Sequence, residues 1–162
     1  MKPLAFTMGA NGLLRSVITP VSMRQSYNLC RDYRLVCQQA DVRALWDTGA
    51  TGSCVSKGLA RRLGLKAIDM CQVSGVGGVT SSQVFLIDIL LPSNAEIPNV
   101  RVTEFMDNGI FEIIIGMDVM TLGDFAISNS DGKTTVSFRI PPSGSPIDFV
   151  RQIESQGDLA GA

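Results

Sequence analysis

The chain has 162 residues, enough for one domain with a buried core, and 45% hydrophobic against 18% charged residues excludes a disordered polymer. A net charge of −1 without a concentrated basic stretch lacks the electrostatic footprint of a nucleic-acid binder. Histidine is absent, which removes Ser-His and Cys-His nucleophile pairs, imidazole bases and every His-containing zinc site.

Residues 1–14 show no clear periodicity and are expected as a loose N-terminal arm, ahead of a domain over 15–142 and a C-terminal extension over 143–162. The start MKPLAFTMGANGLL has one Lys and no sustained apolar core, so no secretory leader is expected. No apolar run approaches the ~20 residues of a membrane span. Cys30, Cys37, Cys54 and Cys71 are too scattered for a C-x-x-C pair and are expected as reduced, partly buried thiols of a cytoplasmic protein. Neither a metal nor another cofactor is expected.

Next, YRLVC (33–37) and VRALW (42–46) flank the polar QQAD in the pattern of a hairpin. The stretch ALWDTGATGSCVS (44–56) follows, in which an apolar approach ends abruptly at an ionisable side chain. One reading is a strand end that presents the Asp47 carboxylate to a cleft, with Thr48 and Gly49 setting the turn. The plainer one is an Asp capping the amides of its own turn. Cys54, seven residues on, has no histidine to activate it and reads as a packed thiol.

SKGLARRLGL (56–65) predicts a short helix with Ser56 as N-cap and Gly64 as its stop, Lys57, Arg61 and Arg62 forming a solvated basic face. MCQVS and SSQVFLIDILL are extended and joined through SGVGGVT (74–80), either a hairpin tip able to fold over a bound peptide or an ordinary glycine-rich turn. A dinucleotide loop is excluded, because it must open a helix and TSSQVFLIDI is extended. NVRVTEFM (99–106) and FEIIIG (111–116) read as strands, the second running through Gly116 into a helical turn near MDVMTLG. Asp118 and Asp124 there read as caps or solvated acids rather than as partners of Asp47. DFAIS and TTVSFRI are linked by NSDGK, whose Asp131-Gly132 pair marks a hairpin. SPIDFVRQIESQ allows a terminal helix, with fraying after Ser155. The pattern predicts a mostly-β fold with one or two short helices.

Three pieces occur in a set order: WDTGAT, then GVGG between two strands, then IIIG before a short helix. In that combination, over about residues 30–140, the sequence resembles the retropepsin-like aspartic proteases, the single-domain family that includes the retroviral enzymes. GMDVM and GDFAIS are more similar to its cellular and bacterial members. The resemblance implies a closed acid-protease barrel, a flap hairpin and a homodimer in which each chain gives one Asp47. It implies an active-site loop of Thr48, Gly49, Ala50 and Thr51, with Thr48 bonding across the dimer axis. It also implies a substrate-binding flap at Gly75, Val76, Gly77 and Gly78, and a second motif at Ile114, Ile115 and Gly116.

The implied activity is peptide-bond hydrolysis by a water held between two Asp carboxylates, the partners being a second copy and a peptide, with no nucleic acid and no membrane. Two alternatives stay open: a catalytically silent dimerisation or peptide-binding module of the same fold, and a protease domain from a mobile-element polyprotein, against which the starting Met1 is taken to argue. The chain departs from the viral pattern in three ways. Thr51 stands where a second acid is common, Trp46 replaces a smaller aliphatic residue, and both ends are extended. Ala50, lacking a hydroxyl to stabilise the dyad anion, implies a less acidic optimum than in pepsin-like enzymes with Ser or Thr there.

Overall fold

The computed structural model describes residues 2–29, 38–75 and 78–160. The chain begins with β1 (Leu4–Gly9) and β2 (Val17–Gln25), then a single 3-10 turn at Tyr27–Leu29. β3 (Gln39–Trp46) and β4 (Cys54–Ser56) stand either side of the Asp47 loop and lead into α1 (Lys57–Arg62). β5 (Asp69–Gly75), β6 (Gly78–Leu90) and β7 (Glu96–Phe105) follow as an antiparallel run. The last elements are β8 (Ile113–Ile115), α2 (Met117–Met120), β9 (Asp124–Ser130), β10 (Lys133–Ile140) and α3 (Phe149–Ala160). The mostly-β expectation holds, but the described residues contain three helices rather than one or two, the third running on to Ala160.

Local chemistry accounts for most boundaries. Ser56 caps α1 by accepting the Leu59 N–H at 3.2 Å, and Gly64, at φ +59°, ends the turn as expected of a left-handed stop. Asp131 (φ 50°) and Gly132 (φ 72°) are both left-handed, the geometry a two-residue hairpin needs to match strand twist.

Seven strands form one sheet in the order β2-β3-β8-β4-β7-β6-β5, and β2 also pairs with β6 from Ser22↔Leu90 to Gln25↔Ile87. The path of pairing therefore leaves β2 through β3 and returns to it through β6. The apolar core includes Val21, Met23, Val42, Ala44, Val55, Leu59, Ile87, Ile89, Val102, Ile113 and Ile115 of this sheet and of α1. Residues 33–37, expected to pair with β3, lie outside the described residues. The described antiparallel partner of β3 is β2, from Val17↔Trp46 to Arg24↔Gln39.

The second sheet has the order β1-β10-β9 and corrects the loose-arm expectation. Leu4 to Gly9 pair with Ile140 to Thr135. In LAFTMG the larger apolar side chains of Leu4, Phe6 and Met8 alternate with smaller residues, a period of two too short to stand out in the sequence. Phe6 alone of these is buried, since its ring meets Trp46 and Phe138.

Trp46 joins the two sheets. Its ring stacks on Phe125 at 5.0 Å and 9°, and lies tilted against Phe138 at 5.1 Å and Phe6 at 6.0 Å. Its Nε1–H donates to the buried Thr19 hydroxyl at 2.9 Å, so the polar edge of the indole is satisfied. The unusually large residue before Asp47 is thus the plug that the second sheet closes over. Trp46→Ala removes that plug and is expected to lower the unfolding free energy by about 3–5 kcal/mol, measured by urea denaturation followed with circular dichroism. A loss below about 1 kcal/mol would mean that the second sheet does not depend on this residue.

Candidate active site

β8 is a run of three isoleucines inserted between β3, parallel to it, and β4, antiparallel to it. The chain leaves β3 at Trp46 and returns as β4 at Cys54 on the other side of β8. The loop between them, residues 47–53, must therefore straddle the end of β8, where Ile115 gives way to Gly116. A strand hydrogen-bonded on both edges, with Ile113 and Ile115 fully buried, is a rigid post for such a loop.

Main-chain bonds tie the loop down, among them the following. The Asp47 N–H donates to the Ile115 carbonyl (3.0 Å) and the Ala50 N–H to the Asp47 carbonyl (3.2 Å). The Met117 N–H donates to the Ala50 carbonyl (2.9 Å) and the Asp118 N–H to the Thr51 carbonyl (3.2 Å). One side-chain node completes the brace. Ser53, buried, gives its N–H to Asp118 Oδ2 (3.0 Å) and its hydroxyl to Asp118 Oδ1 (2.7 Å), while its Oγ accepts the Gly116 N–H (3.0 Å).

Gly116 owes its identity to space rather than to dihedral freedom, since its φ is −93°. A Cβ there would lie 2.7 Å from the Gly52 carbonyl carbon and 2.9 Å from the Ala50 oxygen. The second motif thus packs directly under the loop that carries Asp47. Ile114 and Ile115 pair with Leu45 and Trp46, so the IIIG segment and the DTG segment form one local unit.

Within that unit Asp47 is half-buried, while Thr48, Gly49 and Thr51 are exposed and Ala50 is half-buried. Asp47 Oδ1 accepts the Gly49 N–H at 2.8 Å, so the turn-capping reading of this residue is realised. That bond also fixes the carboxylate's direction, and a Cβ on Gly49 would crowd the same oxygen at 3.2 Å.

The other acids are engaged elsewhere. Asp118 takes the Val119 N–H (2.9 Å), the cap expected of it, but its bonds to Ser53 are the larger part of its role and were not legible from spacing. Asp124 is held below the usual carboxylate range first by the Ser143 N–H and then by Arg139. Lys57 is not simply solvated, since its ammonium lies 3.6 Å from Glu104. Cys54 is half-buried beside Thr103 (Sγ to Oγ1 3.2 Å), and burial pushes its thiol up. No group of three or more Cys, Asp or Glu side chains able to hold a metal ion gathers among the described residues.

The β5–β6 hairpin carries the glycine-rich segment. Gly75 and Gly78 pair at its end, Gly78 at φ +103°, while Val76 and Gly77 lie outside the described residues. Between this hairpin and the end of β7 opens a cavity of about 380 Å³ lined mainly by Val73, Thr80, Ser82, Phe105 and Met106. Asp107, in the loop after β7, receives the Gly58 N–H on both carboxylate oxygens (2.9 and 3.1 Å). A hydrogen bond from the Ser56 hydroxyl, above all, holds Asp107 below the usual carboxylate range. The β7–β8 loop is thereby tethered to α1.

Residues 36–121, more than half of the chain and the stretch that carries both motifs, match the family model described as "gag-polyprotein putative aspartyl protease". The chain belongs to this aspartic protease family. A search among curated proteins gives no match. The fold is similar to the crystal structure of a retropepsin-like aspartic protease from Rickettsia conorii, at a TM-score of 0.50 and 11% identity, over 86% of this chain and 96% of that one. Matches of lower score are the EIAV protease (TM-score 0.48, 19% identity, 68% of this chain and 90% of that one) and the retroviral protease-like domain of Ddi1 from Leishmania major (0.45, 19%, 70% and 82%).

The aspartic protease fold of this chain places Gly116 where any side chain collides with main chain, which is the less adaptable neighbour. Gly116→Ala is expected to destabilise by about 1–3 kcal/mol and to speed amide exchange at residues 48–53. Urea denaturation with exchange mass spectrometry measures both, and unchanged protection in that loop would refute the close packing.

Proposed function

We propose that the protein is an aspartic endopeptidase whose active site forms between two copies of the chain. The observation that carries this reading is the Asp47 loop itself. It is braced from below by β8, Gly116 and Asp118, yet its Thr48-Gly49 tip is exposed in the single chain. A braced loop that presents one acid at a surface suits a site completed by a symmetry mate, and no second Asp-Thr-Gly occurs in the sequence.

The chemistry follows from two carboxylates held about 3 Å apart, which cannot both ionise and so share one proton. The ionised member takes a proton from a water lying between them, and that water attacks the scissile carbonyl carbon. The protonated member donates to the carbonyl oxygen, and the tetrahedral intermediate then collapses with proton delivery to the leaving amine. The pair titrates as a unit, so no separate pKa belongs to either Asp47. The β5–β6 hairpin would act as the flap, closing over an extended peptide and excluding water. The pairing of β2 with both β3 and β6 supports a closed barrel as the scaffold.

A catalytically silent peptide-binding module is the second reading. Thr51 favours it, because its side chain offers no acid to grip a substrate backbone.

The decisive comparison is peptide cleavage by the wild type and by Asp47→Asn, each with and without a pepstatin-type transition-state mimic. Cleavage that the mimic blocks and the substitution lowers by at least about a thousandfold is expected, whereas equal cleavage by both proteins would assign the activity to a contaminant. Ala50 has only a methyl group beside the dyad, so the pH–rate profile is expected to peak at less acidic pH than that of pepsin-like enzymes with Ser or Thr there. An optimum in the gastric range would overturn that expectation.

A further inference from the structure

The loop between β7 and β8 has little packing to hold it. Residues 106–110 are all exposed, Met106 at 72% and Ile110 at 54%. Phe105 and Met106 border the cavity beside the β5–β6 hairpin, while Asp107 and Gly109 line a second cavity, of about 270 Å³, with Arg43, Leu59, Arg62 and Glu112. Polar bonds therefore decide where the loop stands. Asn108 Oδ1 accepts the Ile110 N–H (2.9 Å) and the Phe111 N–H (3.2 Å), and Arg43 Nη2 donates to the Gly109 carbonyl at 2.9 Å. The bond nearest the first cavity is the one from Gly58 to Asp107.

Strand register brings those two residues together. β4 and β7 run parallel with Ser56 opposite Phe105, and two residues further along each segment Gly58 meets Asp107 at the same separation of 49 positions. Ser56 accepts the Leu59 N–H, which leaves the Gly58 N–H to the carboxylate, so α1 is capped by its own N-cap and by a distant acid together. Gly58 is the residue that makes room. It lies within α1 without a left-handed φ, where alanine is the better helix former. A Cβ there would stand 2.5 Å from Asp107 Oδ1 and 3.1 Å from its Cγ. Glycine at this position does nothing for the helix, but it keeps open the space that the carboxylate fills.

We infer that Asp107 is a positioning residue for peptide recognition: by gripping Gly58 it sets where Met106 stands at the cavity beside the β5–β6 hairpin, without itself touching a substrate. Met106 is the residue between Phe105, fixed by its pairing in β7, and Asp107, fixed by α1, so both of its neighbours are anchored. Without the clamp only the Phe105 side is held, and a wall of the cavity can swing away. A loosened wall weakens the hold on a side chain entering that cavity but leaves the Asp47 loop as it is, because that loop is braced by Ser53, Gly116 and Asp118. The effect on cleavage rests on the peptidase reading above, whereas the clamp itself does not.

The test is a double-mutant cycle of Asp107→Ala, Gly58→Ala and the two combined. Asp107→Asn is the conservative variant, and Asp148→Ala, which removes an acid capping α3, is the control. Each protein is followed by thermal melting and exchange mass spectrometry, and by kcat and KM for an internally quenched peptide that the wild type cleaves. Gly58→Ala is expected to raise Tm by at least about 2 °C more in the Asp107→Ala protein than in the wild type, because only there does the new methyl group meet no carboxylate. Asp107→Ala is expected to speed exchange at residues 106–111 and to raise KM at least about fivefold with kcat within about twofold. Asp107→Asn, which keeps an oxygen for the Gly58 N–H, is expected to fall between, and Asp148→Ala to match the wild type. Additive Tm changes or unchanged exchange in the loop overturn the clamp. A clamp that passes both tests while KM stays at the wild-type value overturns its role in recognition and leaves the peptidase reading standing. A wild type that cleaves no peptide overturns that reading together with the recognition role, and the melting cycle still decides the clamp. Should Asp107→Ala misfold, Asp107→Ser takes its place in the cycle under the same criteria.

Discussion

The fold turns on the indole of Trp46, where one residue meets three constraints at once. Its backbone pairs with Val17 on one side and Ile115 on the other. Its ring is enclosed by Phe6, Phe125 and Phe138, so the three strands of the second sheet each contribute one aromatic side chain to it. Its Nε1–H is satisfied by Thr19, which keeps that enclosure free of an unpaired donor. The residue that follows is Asp47. The carboxylate is therefore attached directly to a point anchored by strand pairing on both sides and by three aromatic rings.

Precision at Asp47 then comes from polar bonds rather than from more apolar burial. A six-residue excursion from Thr48 to Ser53 has little core of its own, and its backbone groups would be costly to leave unpaired. The residues after β8 supply the partners, with Met117 and Asp118 donating to the loop carbonyls and Ser53 linking Asp118 to Gly116. Charge-assisted bonds to Asp118 are stronger than neutral ones, so a carboxylate that does no chemistry stiffens the loop of one that is proposed to.

Local chemistry made much of this legible in the sequence. Ser56 as a cap, Gly64 as a stop, and Asp131-Gly132 as a hairpin each depend on neighbours a few positions away, and each is found as expected. The three isoleucines before Gly116 signalled a buried strand for the same reason. What was hidden depends on partners far along the chain. β1 is only six residues long, and its strand character comes from β10, more than a hundred residues later. Asp118 looked like a local cap because spacing cannot reveal that Ser53 will stand beside it. The size of Trp46 is explained only by the aromatic rings that β1, β9 and β10 bring around it.

The contact between Gly116 and the backbone at Ala50 and Gly52 also sets an order of events. The bonds that fix the Asp47 loop join residues 63 and 65 positions apart, and closing so long a connection is slow compared with forming a helix or a hairpin. As the chain emerges during synthesis, β2, β3 and α1 can take shape while the carboxylate still hangs on an unfastened loop. Only when Gly116 and Asp118 have emerged does that loop acquire its floor. For a molecule proposed to cut polypeptides, this is a delay written into topology: the half-made chain carries its acid on a turn held only by its own local bonds, without the floor beneath it.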